Sequence, residues 1–307
     1  MATVYSNCRP HQRKTPLFAM FCFCMRFSAE ILIMKLLIPL AFIAVLFLSP
    51  ACKPMPNDGV PFFLQVDSVY VVDSTGHDTL SHRITDIWAE TKSTTLGAFE
   101  RPCNIPVLEE GPVYIILTPG IYNTGQSGVR VNYPFYAPDT FTLQAERGQS
   151  YKRTPVFRYI KGTKVAFFDD FEIGNNFTGM GISNDSARYG TRCGTITVTA
   201  TDSNKIAVQT SNVTLPDGQE IWLEVDYKAD VPFKAGYIGH FTGNTTPLYA
   251  SMLFLNARST WNKVYIKLSE SVATVRADSY SVYFEALRPY GSSGGTVYID
   301  NVKLLHL

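Results

Sequence analysis

The chain has 307 residues, 46% of them apolar and 17% charged. The charged share lies below the usual quarter, and plentiful Gly, Thr, Tyr and Phe favour strands and turns over helices. Five basic residues and one acid precede Cys52, which leaves 22 basic and 25 acidic residues from there on; a balance of about −3 with no basic block lacks the electrostatic footprint of a nucleic-acid binder.

Residues 1–33 show no turn chemistry and no clear period, and read as an upstream extension from a mis-assigned start. The alternative is a longer anchor over residues 17–48, but Arg26 and Glu30 interrupt it, and charge at mid-membrane is costly. A better start follows. Met34-Lys35 gives a short positive region, and LLIPLAFIAVLFL gives an apolar run of about 13 residues, short of the roughly 20 needed to span a bilayer and suited to a secretory signal. Ser49-Pro50-Ala51-Cys52 then resembles a bacterial lipoprotein signal over residues 34–51, with Ser49 in the place usually held by Leu. The resemblance implies that Cys52 is acylated and begins the mature chain. An ordinary cleaved signal is the other reading. Residues 52–60, with Pro54, Pro56 and Gly59, form a tether. No retention Asp follows Cys52, so the expected address is the outer membrane, lipid-anchored, on its surface or periplasmic face.

Residues 61–162 alternate short strand-like runs with turns. FFLQVDSVYVVD is β-rich, ITDIWAE alternates, Glu109-Glu110-Gly111 marks a turn, and an apolar run follows from Val113 to Leu117. This spacing predicts an antiparallel β-sandwich. The stretch from Asp86 to Ile121, with Leu96-Gly97, Pro106 and Gly111 in order, resembles the PEGA-type surface module, which implies an Ig-like or PEGA-like extracytoplasmic domain without catalysis. Trp88 and the cluster Tyr133, Phe135 and Tyr136 between Pro134 and Pro138 are either rings closing the core or rings that stack on a sugar.

Residues 163–307 alternate more clearly. Ile221, Leu223, Val225 and Tyr227 share one face of a strand, and Trp222, Glu224 and Asp226 the other; Val264, Ile266 and Leu268 oppose Lys263, Tyr265 and Lys267. The order DDFE, IWLEVDYKAD, TWNKVYIKLSES, SVYFEAL and GGTVYIDNVKLL resembles the galactose-binding-like jelly-roll family, to which many carbohydrate-binding modules belong. The resemblance implies paired first and last strands and a structural calcium held by Glu172 and Asp300. It also implies a sugar site of aromatic side chains, for which Tyr237, His240, Phe241 and Tyr249 in a Gly/Thr-rich stretch are the candidates. Trp222 and Trp261 read as core.

Signals of chemistry are sparse. The five histidines have no metal-ligand spacing, and no Gly-x-Ser-x-Gly elbow occurs. Glu224 and Asp226 have the strand spacing of a glycoside-cleaving pair, as any β-rich domain offers. Cys103 and Cys193 read as two thiols, with one bridge between them as the alternative. Asp-Ser/Thr-aliphatic or Asp-Ser-Thr segments at Asp67, Asp73, Asp78 and Asp185 resemble an O-glycosylation motif of envelope proteins. The fold class is therefore all-β, two β-sandwich domains with a C-terminal jelly roll. The expected function is a non-catalytic envelope lipoprotein that binds glycan; the alternatives are an assembly protein binding an envelope protein partner, and a glycosidase.

Overall fold

The computed structural model describes residues 59–72, 76, 81–126 and 128–307. The extension over 1–33, the signal segment, Cys52 and its tether up to residue 58 lie outside the described residues, as do the motifs at Asp73 and Asp78.

The N-terminal half runs through β1 (Phe62–Val66), β2 (Tyr70–Val72), β3 (Asp86–Thr91), β4 (Thr95–Glu100), β5 (Cys103–Val107) and β6 (Gly111–Tyr122). A 3-10 turn at Asn123–Gly125 leads to β7 (Arg130–Asn132), β8 (Tyr136–Ala137), β9 (Asp139–Ala145), β10 (Ser150–Lys152) and β11 (Val156–Tyr159). The largest sheet is β4–β3–β6, with β7 and β9 both paired to β6; β10–β1–β5 and β2–β11–β8 are two shorter sheets. Two pairings, β1 with β10 and β2 with β11, are parallel. This corrects the expectation of a purely antiparallel module: the first strands lie beside the last, joined by long excursions of the chain rather than by hairpins. Tyr133, Phe135 and Tyr136 are buried in the core of this half, as is Ile121.

The C-terminal half runs through β12 (Lys164–Asp169), β13 (Phe177–Thr178), β14 (Gly181–Ser183), β15 (Cys193–Thr199), β16 (Asn204–Gln209) and β17 (Ile221–Ala229). Then come β18 (Phe233–His240), β19 (Leu248–Leu255), β20 (Arg258–Lys267), β21 (Ser279–Leu287) and β22 (Gly294–His306). One sheet is β14–β15–β22–β17–β20, with β12 also on β22, so the first and last strands of this half pair as expected. The other is β13–β16–β21–β18–β19. A seven-residue helix, Ser269–Val275, links β20 to β21; two turns are too short to leave a helical stripe that sequence periodicity detects.

The alternation read from the sequence places the core. Leu223, Val225, Val264, Ile266, Leu304 and Phe284 fill the space between the two C-terminal sheets. The opposite face of β17, β20 and β22 is not solvated: Trp222, Tyr265 and Leu305 join the core of the N-terminal half. Along β22 the register slips between the pairs Glu224–Lys303 and Asp226–Asp300. Asn301 takes the left-handed conformation there (φ 49°), which Asn tolerates better than most residues.

Candidate functional site

The two faces of the C-terminal sandwich meet different fates. The outward face of β17–β20–β22 is sealed by the N-terminal half through a buried polar network. Glu224 is fully buried; its Oε1 accepts hydrogen bonds from the Tyr133 hydroxyl at 2.6 Å and the Tyr159 hydroxyl at 2.9 Å. The Lys263 ammonium lies 2.7 Å from its Oε2. Burial alone would raise the Glu224 carboxyl, yet the charges of Lys263 and Lys303 hold it below its ordinary value. The Tyr133 and Tyr159 hydroxyls are pushed well above theirs by burial and by the Glu224 charge. Asp226, equally buried, accepts from Ser81 Oγ at 2.5 Å and Asn301 Nδ2 at 3.1 Å. The pair with glycosidase spacing is thus inaccessible to any polysaccharide: both carboxylates are buried structural acceptors.

The outward face of the other sheet is different. Residues directly opposite in a ladder share a face, so Lys234, Gly236, Ile238 and His240 of β18 lie on one side with Glu285, Tyr283, Ser281 and Ser279 of β21. On β19 their partners are Phe254, Ser251 and Tyr249. Tyr249 and Phe254 are five positions apart and would point to opposite faces of a regular strand. A bulge at Met252, between the pairs Gly236–Ser251 and Ala235–Leu253, restores them to the same face. They are 51% and 53% exposed. Their partners Ile238 and Lys234 are four residues apart, so the two backbone positions lie about 13 Å apart along the edge of the sheet.

Between the rings lie apolar and polar groups. Tyr283 meets Tyr249 edge to face at 5.4 Å, and it is buried with Ile238 although neither belongs to the core between the sheets. Gly236 leaves room for the Tyr283 ring beside β18: a Cβ there would come 3.0 Å from that ring and 2.1 Å from the Ala250 carbonyl. Glu285 accepts from Lys234 Nζ at 2.9 Å and Asn204 Nδ2 at 2.5 Å. His240 Nε2 and Ser281 Oγ are 2.8 Å apart. Aromatic faces beside a row of fixed donors and acceptors suit a ligand with an apolar ring face and a rim of hydroxyls.

The four residues anticipated as ligand-binding divide. His240 and Tyr249 belong to this face. Tyr237 does not: it opposes Ala250 and Val282, is 1% exposed, and packs in the core with its hydroxyl 2.7 Å from Ser271 Oγ. His240 and Tyr249 lie on one face of the sheet and Tyr237 on the other. Phe241 starts the turn after β18, half-buried, with its ring near Gly239. Phe254, Tyr283 and Ile238 escaped notice. The alternation of SVYFEAL is legible, but nothing in it says which face turns outward, and the bulge at Met252 hides Phe254.

Glu172 and Asp300 do not fit calcium, which needs about six to eight oxygens with free lone pairs. Glu172 accepts from the Thr191 and Arg192 backbone N–H groups, both at 2.8 Å, and from Thr191 Oγ1. Asp300 accepts from the backbone N–H groups of Arg188, Tyr189 and Asn301. The two carboxylates pin the 188–192 loop from either side, and positive N–H ends stand where a cation would. Burial pushes the Asp300 carboxyl up to about 7 despite these bonds. Among the described residues no three His, Cys, Asp or Glu side chains gather as metal ligands. Cys103 and Cys193 are both free thiols.

No family model matches this sequence, and no curated protein matches it. Solved structures do. A xylan-binding domain of Paenibacillus barcinonensis is 12% identical, covering 48% of this chain and 97% of its own, with a TM-score of 0.35. A family 11 carbohydrate-binding module of Clostridium thermocellum, solved with a β-1,3-1,4-mixed-linked tetrasaccharide, is 17% identical over 46% of this chain and 94% of its own, TM-score 0.33. An adhesin domain of Lys-gingipain from Porphyromonas gingivalis is 15% identical over 47% of this chain and 99% of its own, TM-score 0.33.

Proposed function

We propose that this chain is a non-catalytic envelope lipoprotein, anchored through Cys52 to the outer membrane, that binds glycan on the outward face of the β13–β16–β21–β18–β19 sheet. One observation carries the glycan reading: Tyr249 and Phe254, both half-exposed, stand on the same face of one edge strand with fixed polar groups beside them. The polar row Lys234–Glu285–Asn204 is held by its own hydrogen bonds before any ligand arrives. Such pre-ordering lowers the entropic cost of recognition. The sealed opposite face, with Glu224 and Asp226 buried, removes the carboxylate pair that favoured cleavage.

The anchor rests on the residues themselves: Lys35, the apolar run, and small residues before a cysteine. Mass spectrometry of the protein extracted from its native membrane tests it; an acylated Cys52 at the N-terminus is expected. The glycans to test first are those named for the similar structures, xylan and β-1,3-1,4-mixed-linked glucan oligosaccharides. Calorimetric titration of the full chain with xylohexaose and with the mixed-linked tetrasaccharide reads the binding. Saturable binding lost in Tyr249→Ala and Phe254→Ala supports the reading. A face that binds an envelope protein and no glycan would replace it.

A further inference from the structure

A cleft lies where the two halves of the protein meet. The 3-10 turn Asn123–Gly125 of the N-terminal half sits against the ends of β19 and β20, and an open cleft of about 360 Å³ lies between them. A volume of this order falls within the range of small-ligand sites. Its walls come from both halves: Thr124, Gly125 and Gln126 on one side, and the 253–258 segment with Tyr227 on the other. Gly125 approaches closely; a Cβ on it would come 3.2 Å from Val264 and 3.5 Å from Leu253. Thr124 holds a left-handed backbone (φ 49°), an unfavourable state for a β-branched residue. Such strain persists only where the surroundings enforce it, and it clusters at functional sites.

The lining chemistry points to an anion. Arg258 is the single charged residue among the described lining residues, and it takes part in none of the ion pairs of the described residues. Gln126 and Asn256 line the same cleft with amide side chains able to hydrogen-bond a hydroxyl or a carboxylate, whereas the Thr124 hydroxyl already donates to Asn123 Oδ1. An unpaired guanidinium presents a planar fork that matches a carboxylate in two parallel hydrogen bonds. Phe254 belongs both to this cleft and to the sheet face, where it opposes Lys234, so one surface runs into the other.

We infer that the cleft is a second subsite that takes a carboxylate-bearing sugar, a uronate unit held by Arg258 between the two halves of the protein. Its saccharide class rests on the reading of the sheet face as a glycan platform; its preference for an anion does not.

The full chain is titrated with tetragalacturonate, with xylohexaose and with sodium acetate, at low and at high salt. Tetragalacturonate is expected to bind, and Arg258→Gln to weaken it tenfold or more, while Gln126→Ala weakens it severalfold. Both positions are exposed, so both variants should fold. Xylohexaose affinity stays unchanged in the two variants. Added salt weakens tetragalacturonate and leaves xylohexaose unchanged, because it screens an exposed charge pair. Tetragalacturonate binding that is absent, or equal in wild type and Arg258→Gln, overturns the proposal. Acetate binding as tight as the tetramer overturns the sugar assignment. Tetragalacturonate binding through Arg258 without any xylohexaose binding would support the anion subsite and count against the neutral sheet platform; the converse pattern would sink the subsite and leave the platform standing.

Discussion

Tyr133, from the N-terminal half, donates a 2.6 Å hydrogen bond to Glu224 on β17 of the C-terminal half. Lys263 neutralises the same carboxylate, and Trp222 and Tyr265 pack their rings against Tyr133 at 5.4 and 4.7 Å. The outward face of a sandwich sheet has become an interior.

The two halves should therefore unfold together. Lys263→Met leaves Glu224 buried without its main countercharge and should cost about 3–5 kcal/mol. Tyr133→Phe removes one hydrogen bond to a charged group and should cost about 1.5–3 kcal/mol. Denaturant unfolding followed by tryptophan fluorescence and by circular dichroism should give coincident transitions in wild type. Two separated transitions would contradict a shared core.

Tyr237 and Tyr249 offer a paired test of strand parity. Tyr237→Phe should leave glycan binding untouched and cost about 1 kcal/mol of stability, through its bond to Ser271. Tyr249→Ala should do the reverse, leaving the midpoint of unfolding nearly unchanged and weakening binding about tenfold or more. Thermal melts and titration calorimetry on both variants read the two effects.

Gly236→Ala should destabilise the edge of the sheet. The new methyl would meet the Ala250 carbonyl at 2.1 Å and the Tyr283 ring at 3.0 Å, so β19 must move. Overpacking of this kind costs about 1–3 kcal/mol. Faster amide hydrogen exchange confined to β18 and β19 would report it.

Asp300 gives the fold a signature in pH. Its carboxyl titrates near 7 in the folded chain, raised by burial, against about 3.9 when unfolded. The native state therefore binds the proton more tightly. Its contribution is complete below about pH 4 and is lost as pH rises through about 7. Asp300→Asn cannot ionise. Its stability relative to wild type should climb between about pH 4 and 7, by up to about 1.4 kcal/mol per unit, and level off above. Denaturation midpoints of both proteins across that range test this, and parallel curves would contradict it.

Much of the fold was legible because alternation is a direct consequence of strand geometry. Leu223 and Val225 on one side of β17, and Trp222 and Glu224 on the other, could be read straight from the chain. What covers the second side could not. Burial of Glu224 depends on Tyr133 and Tyr159, respectively 91 and 65 residues away. The parallel pairings of β1 and β2 are equally non-local. At the candidate site, His240 and Tyr249 were visible as aromatic or polar residues in a Gly-rich stretch. Tyr237 misled because a one-residue change of parity moves a side chain through the sheet. Phe254 was hidden because the extra residue at Met252 breaks the period just where the period was the signal.

The central claim is that the outward face of the five-stranded sheet binds glycan. A glycan array probed with the full chain, alongside Tyr249→Ala, Phe254→Ala and Tyr237→Phe, tests it most directly. The account predicts saturable binding to at least one glycan class, lost in the first two variants and kept in the third. Binding to no glycan, or binding that survives removal of both exposed rings, would contradict it.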